Sequence, residues 1–222
     1  MMASNDDWKR FARGTTPSTV SIDPLFFEAV EQGAHVLDIG CGRGTTAHRL
    51  DELGYAVTGV DINTEEVEYA RETYGSQTAR FLEGDATKLP FEDKTFDACI
   101  MQALLTTIAE PAARTRAIEE AHRVLVDSGI LYLGVFACTP ENPAYKRRYD
   151  AHAPLTGEKG TFFVTRNGSD ESERLYRAHH YTRYEVESLL DGLFSIGRFV
   201  ETAFRSYHGN RCNAFVVIAH KI

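Results

Sequence analysis

The chain has 222 residues, 43% of them hydrophobic and 25% charged, with a formal net charge of −8. That composition is ordinary for a globular protein, and its acidic balance argues against a broad nucleic-acid surface, which needs many Lys and Arg to displace counterions. The opening M-M-A-S-N-D-D-W-K-R has no apolar stretch and the longest apolar run, 129–137, is far short of a membrane span, so the sequence predicts no leader, no membrane partner and a cytoplasmic location.

Residues 1–22 are polar and irregular, with Trp8 and Phe11 at helical spacing. Asp23-Pro24 predicts a helix to about residue 32, Asp23 capping and Pro24 at the first helical position, stopped by Gly33. A first strand follows over His35–Ile39, a helix over 44–53 ended by Gly54, and a second strand over Ala56–Asp61. The next helix is expected over 65–74, with Thr64 as cap and Gly75 as stop. Third and fourth strands are expected over Ala79–Glu83 and Phe96–Gln102. Pro111 opens a helix whose apolar residues Ala117, Ile118, Ala121, Val124 and Leu125 share one face. Gly129 breaks it before a fifth strand over 130–136.

From 137 to 180 the alternation lapses. Two extended runs, 161–166 and 173–178, flank Asn167-Gly168 and suggest a hairpin. Thr182-Arg183-Tyr184-Glu185 has the capping-box pattern and opens a helix to about residue 190. Two final runs, 194–204 and 211–220, are placed to pair as antiparallel strands. Alternating strands and helices imply a mostly parallel seven-stranded sheet with helices on both faces and an antiparallel final strand, a three-layer α/β/α sandwich. No repeat or linker divides residues 1–222, so one domain is expected, with a cap over about 1–32 and an insertion over about 137–180. Cys41, Cys99, Cys138 and Cys212 are scattered, with no C-x-x-C pair and no metal-ligand spacing.

Chemistry concentrates in Val36 to Gly44, V-L-D-I-G-C-G-R-G. The strand delivers the backbone to a turn whose glycines, Gly40, Gly42 and Gly44, allow close approach and positive φ. The following helix points its free N–H groups at the same spot. A dinucleotide fingerprint runs G-x-G-x-x-G; here the spacing is G-x-G-x-G, with Asp38 two residues ahead. Cys41 reads as a small side chain tolerated beside the ligand. Asp61, followed by Ile62, ends the second strand 21 residues after Gly40, where a carboxylate can accept both hydroxyls of a ribose.

This glycine loop resembles motif I of the class I S-adenosylmethionine-dependent methyltransferases. S-adenosylmethionine carries an ammonium and a sulfonium that favour a nearby carboxylate such as Asp38. Gly84-Asp85-Ala86 is similar to the family's third-strand motif, and the resemblance implies Asp85 near the adenine amino group and the Ala86 N–H on a ring nitrogen. F-D-A-C-I-M-Q-A-L-L resembles motif IV, which implies that Met101 and Gln102 border the methionine half. E-A-H-R-V-L-V-D-S-G-I-L-Y-L resembles the segment that closes the family's core. The matches cover about 36–136 and imply a Rossmann-like fold with S-adenosylmethionine as cofactor and no metal.

The acceptor pocket is expected outside these motifs, walled by the N-terminal segment and the insertion. Trp8 and Arg13 are candidates on the first, and Tyr145, Arg147 and Arg148 on the second. His179 and His180 are the candidate bases near neutral pH. Arg side chains there suit a carboxylate or phosphate acceptor. A small-molecule acceptor is the leading reading. An RNA methyltransferase using Lys146, Arg147, Arg148, Arg174 and Arg177 on phosphates, a nicotinamide enzyme and a non-catalytic binder remain open, as does the oligomeric state.

Overall fold

The computed structural model of the chain describes residues 8, 11–13, 22–169, 171–206 and 208–222. Residues 1–7, 9–10 and 14–21 of the cap expected over about 1–32, and Asp170 in the expected hairpin link, lie outside the described residues. In chain order the elements are α1 (Leu25–Ala29), β1 (His35–Ile39), α2 (Thr45–Glu52), β2 (Ala56–Asp61), α3 (Thr64–Tyr74), β3 (Ala79–Glu83), β4 (Phe96–Gln102) and α4 (Leu104–Thr107). Then come α5 (Pro111–Val124), β5 (Leu125–Phe136), α6 (Pro143–Thr156), β6 (Thr161–Thr165), β7 (Arg174–His179), α7 (Arg183–Leu190), β8 (Phe194–Arg205) and β9 (Arg211–Lys221).

The described residues form a seven-stranded sheet in the order β3-β2-β1-β4-β5-β9-β8. The first five strands are parallel. The final strand β9 runs antiparallel between β5 and β8. The order reverses between β1 and β4, so a crevice opens beyond their carboxyl ends, where such sheets bind ligands. β6 and β7 pair separately as an antiparallel ribbon.

Strand periodicity builds the two helical layers. Leu37 and Ile39 of β1 and Cys99 and Met101 of β4 pack with Ala117 and Ile118 of α5 and Val186 and Leu190 of α7. The alternate residues Val36, Ala98 and Ile100 pack on the other face with Phe26, Leu50 of α2 and Val67 of α3. Asp38 shares the face of Val36, so its carboxylate is directed toward α2. Full burial of each such apolar side chain contributes about 1.5–3 kcal/mol.

Several local expectations are corrected. α1 stops at Ala29 because Val30 turns extended, at φ −110° and ψ 120°. α3 is capped by Asn63, whose side chain accepts the Glu66 N–H at 3.2 Å, and Thr64 is already helical. β5 starts five residues early, at Leu125, because a register shift opposite Phe96 and Ala98 and a positive φ at Ser128 carry it past Gly129. The largest departure is α6, inside the 137–180 insertion, where only a hairpin was expected. Asn142 caps it by accepting the Ala144 N–H, and Pro143 occupies its first turn. The capping box of α7 forms in both directions.

Candidate active site

Gly40 and Gly44 must lack a side chain for different reasons. At Gly40, with φ +79°, a Cβ would come within 2.7 Å of Leu104 Cδ1 at the start of α4. At Gly44, the left-handed N-cap of α2, a Cβ would strike Ala70 and Phe81 at 2.8 Å. The first glycine opens the crevice; the third seats α2 against α3 and β3.

The loop is fastened to β2. The N–H groups of Gly40 and Cys41 donate to the Val60 carbonyl at 2.7 and 3.0 Å. Asp61 accepts the Gly42 N–H on Oδ2 at 2.8 Å and the Asn63 N–H on Oδ1 at 2.9 Å. Burial raises the Asp61 carboxyl despite these donors. Asp38 is 2% exposed; it accepts the Ala47 N–H, while its Oδ2 has no partner among the described residues. Burial first, then the nearby Asp61 charge, push its pKa up to about 7. The Cys41 thiol is likewise driven far up by burial and by the Asp61 and Asp38 charges, so it stays protonated and unreactive.

At the end of β4, the Gln102 amide is buried, and neither its oxygen nor its nitrogen has a partner among the described residues. Ala103 adopts φ +57°, a strained value for a residue with a Cβ, and its N–H donates to the Gly134 carbonyl at 2.8 Å. On the other flank Asp85 closes a turn, accepting the N–H and hydroxyl of Thr87, both at 2.8 Å.

A cavity of about 210 Å³ joins these strand ends to α6, β6 and β7. Asp38, Gly40, Gly42, Asp61, Asp85 and Gln102 line one half of it. Tyr145, Arg148, Phe162, Tyr176 and His180 line the other, with Trp8 as a bridge. Trp8 is placed by Asn63, whose Nδ2 donates to its carbonyl at 2.8 Å, and its ring packs against Tyr176 at 4.6 Å. The His180 ring lies parallel to Phe136 at 5.4 Å, and its Nδ1 shares a hydrogen bond with the Tyr149 hydroxyl at 2.8 Å. Burial, followed by the charges of His179 and Arg148, lowers the His180 pKa to about 3. The imidazole is therefore neutral at physiological pH.

A methyltransferase-domain family profile matches residues 37–133. A solved S-adenosylmethionine-dependent methyltransferase from Methanosarcina mazei is 34% identical, covers 91% of this chain and 99% of its own, and superposes with a TM-score of 0.85. The chain belongs to the S-adenosylmethionine-dependent methyltransferases. Demethylmenaquinone methyltransferase of Clavibacter sepedonicus is 28% identical over 189 residues, 78% of this chain and 76% of the relative. A Burkholderia thailandensis 1,6-didemethyltoxoflavin-N1-methyltransferase, solved with that compound and S-adenosylhomocysteine, shares the fold at TM-score 0.60 and 22% identity, over 86% of this chain and 72% of its own.

The cofactor of this methyltransferase is S-adenosylmethionine, and the cavity fits it chemically. Asp38, Asp61 and Asp85 give the strand ends acidic character suited to a cationic ligand. The orphaned Asp38 oxygen and Gln102 amide are buried groups that a polar ligand can satisfy. Among the described residues no group of three or more His, Cys, Asp or Glu could hold a metal. No helix among them is long and apolar enough to cross a membrane.

Of the residues singled out in the sequence, Asp38, Gly40, Cys41, Gly42, Asp61, Ile62, Asp85, Ala86, Gln102, Trp8, Tyr145, Arg148 and His180 lie on this cavity. Five others do not. Gly44 serves helix packing, and Met101 is fully buried against α5 because it alternates away from Gln102's environment. His179 is turned from the cavity: its Nδ1 meets the Thr161 hydroxyl at 2.7 Å and its Nε2 lies 3.7 Å from Glu185. Arg147 is exposed on α6, one position and about 100° round the helix from Arg148. Arg13 pairs with Glu72, and its N–H donates to Glu65, both on α3.

The sequence reading missed Phe162, Val164, Tyr176 and Ala178, although their period-2 spacing on β6 and β7 marks one inward face. It also missed Ser206, His208 and Asn210 in the β8–β9 turn, for which no local signal existed. Ser206 Oγ is buried without a partner among the described residues.

Proposed function

We propose that this methyltransferase acts on a small-molecule acceptor enclosed between the glycine loop and a lid made of α6, β6 and β7. The observation that carries the reading is the single cavity lined by both. In it Asp38 and Gln102 hold the cationic amino-acid end of the cofactor, Asp61 its ribose hydroxyls, and Asp85 with Ala86 its adenine. Trp8 covers the cofactor, while Tyr145, Arg148 and His180 face the acceptor. The bound cofactor supplies a methyl group on a positively charged sulfur, so an acceptor lone pair can take the methyl as the carbon–sulfur pair leaves on sulfur, with no protein nucleophile. The chain's part is to orient the two partners and exclude water. The lid's aromatic lining and the chain's acidity favour a small molecule over RNA, and the relative from Clavibacter sepedonicus, by its name, acts on a demethylmenaquinone.

The test is incubation of the pure protein with methyl-labelled S-adenosylmethionine and a fractionated cell extract. Label is expected in the small-molecule fraction. Label confined to RNA overturns the acceptor class, and absence of label with cofactor binding intact overturns turnover itself.

A further inference from the structure

The two ends of the cavity differ in charge: the strand-end half holds three carboxylates and one cation, Arg43. All three of its carboxylates, Asp38, Asp61 and Asp85, belong to the strand ends. Among the lining residues of α6, β6 and β7, Arg148 alone carries a formal charge. Its guanidinium donates to the Gly168 carbonyl at 3.1 Å and lies 5.4 Å from the Phe162 ring centroid, and among the described residues it has no ion-pair partner. His180 beside it is neutral, held by Tyr149 through Nδ1, which leaves Nε2 as its second hydrogen-bonding atom. The walls are flat: Phe136 lies parallel to His180, Phe162 stands edge-on to it at 4.8 Å, and Tyr145 is tilted over it at 5.1 Å.

We infer that the acceptor enters as an anion on a planar ring, an ionised aromatic or enolic hydroxyl, with its charged oxygen beside Arg148 and His180. The inference rests on the reading of the lid as the acceptor site. Aromatic faces and edges bind a flat π system with favourable geometry. Arg148 gives the oxygen a charge-assisted hydrogen bond and disfavours an ammonium. With its pKa pushed down to about 3, His180 is too weak a base to take an acceptor's proton near neutral pH, so this lid suits an acceptor that has already lost it. The ionised oxygen supplies the pair for the new carbon–oxygen bond, the carbon–sulfur pair goes to sulfur, and the opposite charges of anion and sulfonium cancel. No proton remains to be removed. Charge cancellation of this kind is favoured where water is excluded.

The chain's single tryptophan, Trp8, lines the cavity and reports occupancy by fluorescence. Full-length protein saturated with S-adenosylhomocysteine is titrated with 4-nitrophenol and, as neutral isostere, 4-nitroaniline, at about pH 6 and about pH 8. The ionised phenol is expected to bind at least about tenfold tighter than the aniline, the scale of one charge-assisted contact. The preference should shrink at the lower pH, vanish in Arg148→Gln and persist in part in Arg148→Lys, with thermal melting confirming that both variants fold. Equal or tighter binding of the aniline, or a full preference retained by folded Arg148→Gln, overturns the inference. If S-adenosylhomocysteine itself does not bind, the assignment of the site falls and takes the inference with it. If it binds and no charge preference follows, the inference alone falls.

Discussion

Replacing Asp38 with Asn tests the electrostatics of the cofactor half directly. The Asp38 carboxyl is buried at the start of α2 with one oxygen unpartnered among the described residues, and its pKa is about 7 rather than the ordinary 3.8. A folded-state value above the unfolded one means that the native protein holds the extra proton between about pH 4 and 7. Stability from this group is therefore fully present below the unfolded pKa and is lost as pH rises through 7. The shift corresponds to ~4 kcal/mol over the whole window, at no more than about 1.4 kcal/mol per pH unit. Asp38→Asn removes that dependence, so the ligand-free variant should gain stability relative to wild type as pH climbs from 5 to 7, with the gain levelling above 7. Binding moves the other way. The ligand's ammonium needs the ionised carboxylate, so wild-type affinity for S-adenosylhomocysteine should rise with pH by up to about tenfold per unit below 7 and level above it, and the variant should bind weakly with no such slope. Urea unfolding at pH 5, 6, 7 and 8, with and without S-adenosylhomocysteine, reads both effects. A stability difference independent of pH, or wild-type affinity in Asp38→Asn, would refute the reasoning.

Gly40→Ala places a Cβ against Leu104 at a positive φ; the backbone alone costs about 1–2 kcal/mol, and calorimetry should show cofactor affinity reduced by tenfold or more, an unchanged Kd being the contrary result. Arg114 and Glu158 form a two-pronged pair at 2.7 and 2.9 Å, with Arg114 4% exposed on its side chain, so Glu158→Gln should destabilise the protein by about 3–5 kcal/mol; a loss under about 1 kcal/mol in denaturant titration counts against the pair as an anchor. At saturating cofactor, the pH profile of kcat between 5 and 8 should have no limb from His180, because burial keeps that ring neutral; His180→Gln should lower turnover without changing the shape of the profile, and a limb that disappears in the variant would restore His180 as a base.

The strand-end half of the cavity, proposed to hold the cofactor, was legible because each of its parts is local in sequence. Asp38 and Gly40 sit at one strand end, Asp61 at the next and Asp85 at the third, and parallel β1, β2 and β3 bring those ends together automatically. Gly44 and Met101 show where such reading overreaches. A glycine loop is required both by ligand approach and by helix seating, and spacing alone does not separate the two. Met101 follows the strand's alternation into the α5 core while Gln102 reaches the crevice. The helix α6 left a signal that went unread: Asn142-Pro143 as a start, Tyr145, Tyr149 and His152 on one face, and Gly157 in the left-handed conformation at its end. The charged run from Lys146 to Arg148 masked that face, and without a helix Arg147 and Arg148 could not be told apart.

The half proposed for the acceptor resisted sequence reading for a different reason: distant segments build it, and side-chain pins set their places. Asn63 holds Trp8 and Phe11 through their carbonyls. Tyr149 holds His180, and Arg148 holds the β6–β7 tip through Gly168. Arg114 on α5 holds Glu158 at the foot of the lid, where Thr161 also donates to it. Arg114 ties the lid to the core and the other pins set its shape, none of them using residues of the glycine loop. If the lid is the acceptor site as proposed, substitutions on the inward faces of α6, β6 and β7 change which acceptor fits while leaving Asp38, Asp61 and Asp85 undisturbed. On the proposed reading the strand ends fix the methyl donor, and the lid carries the choice of acceptor.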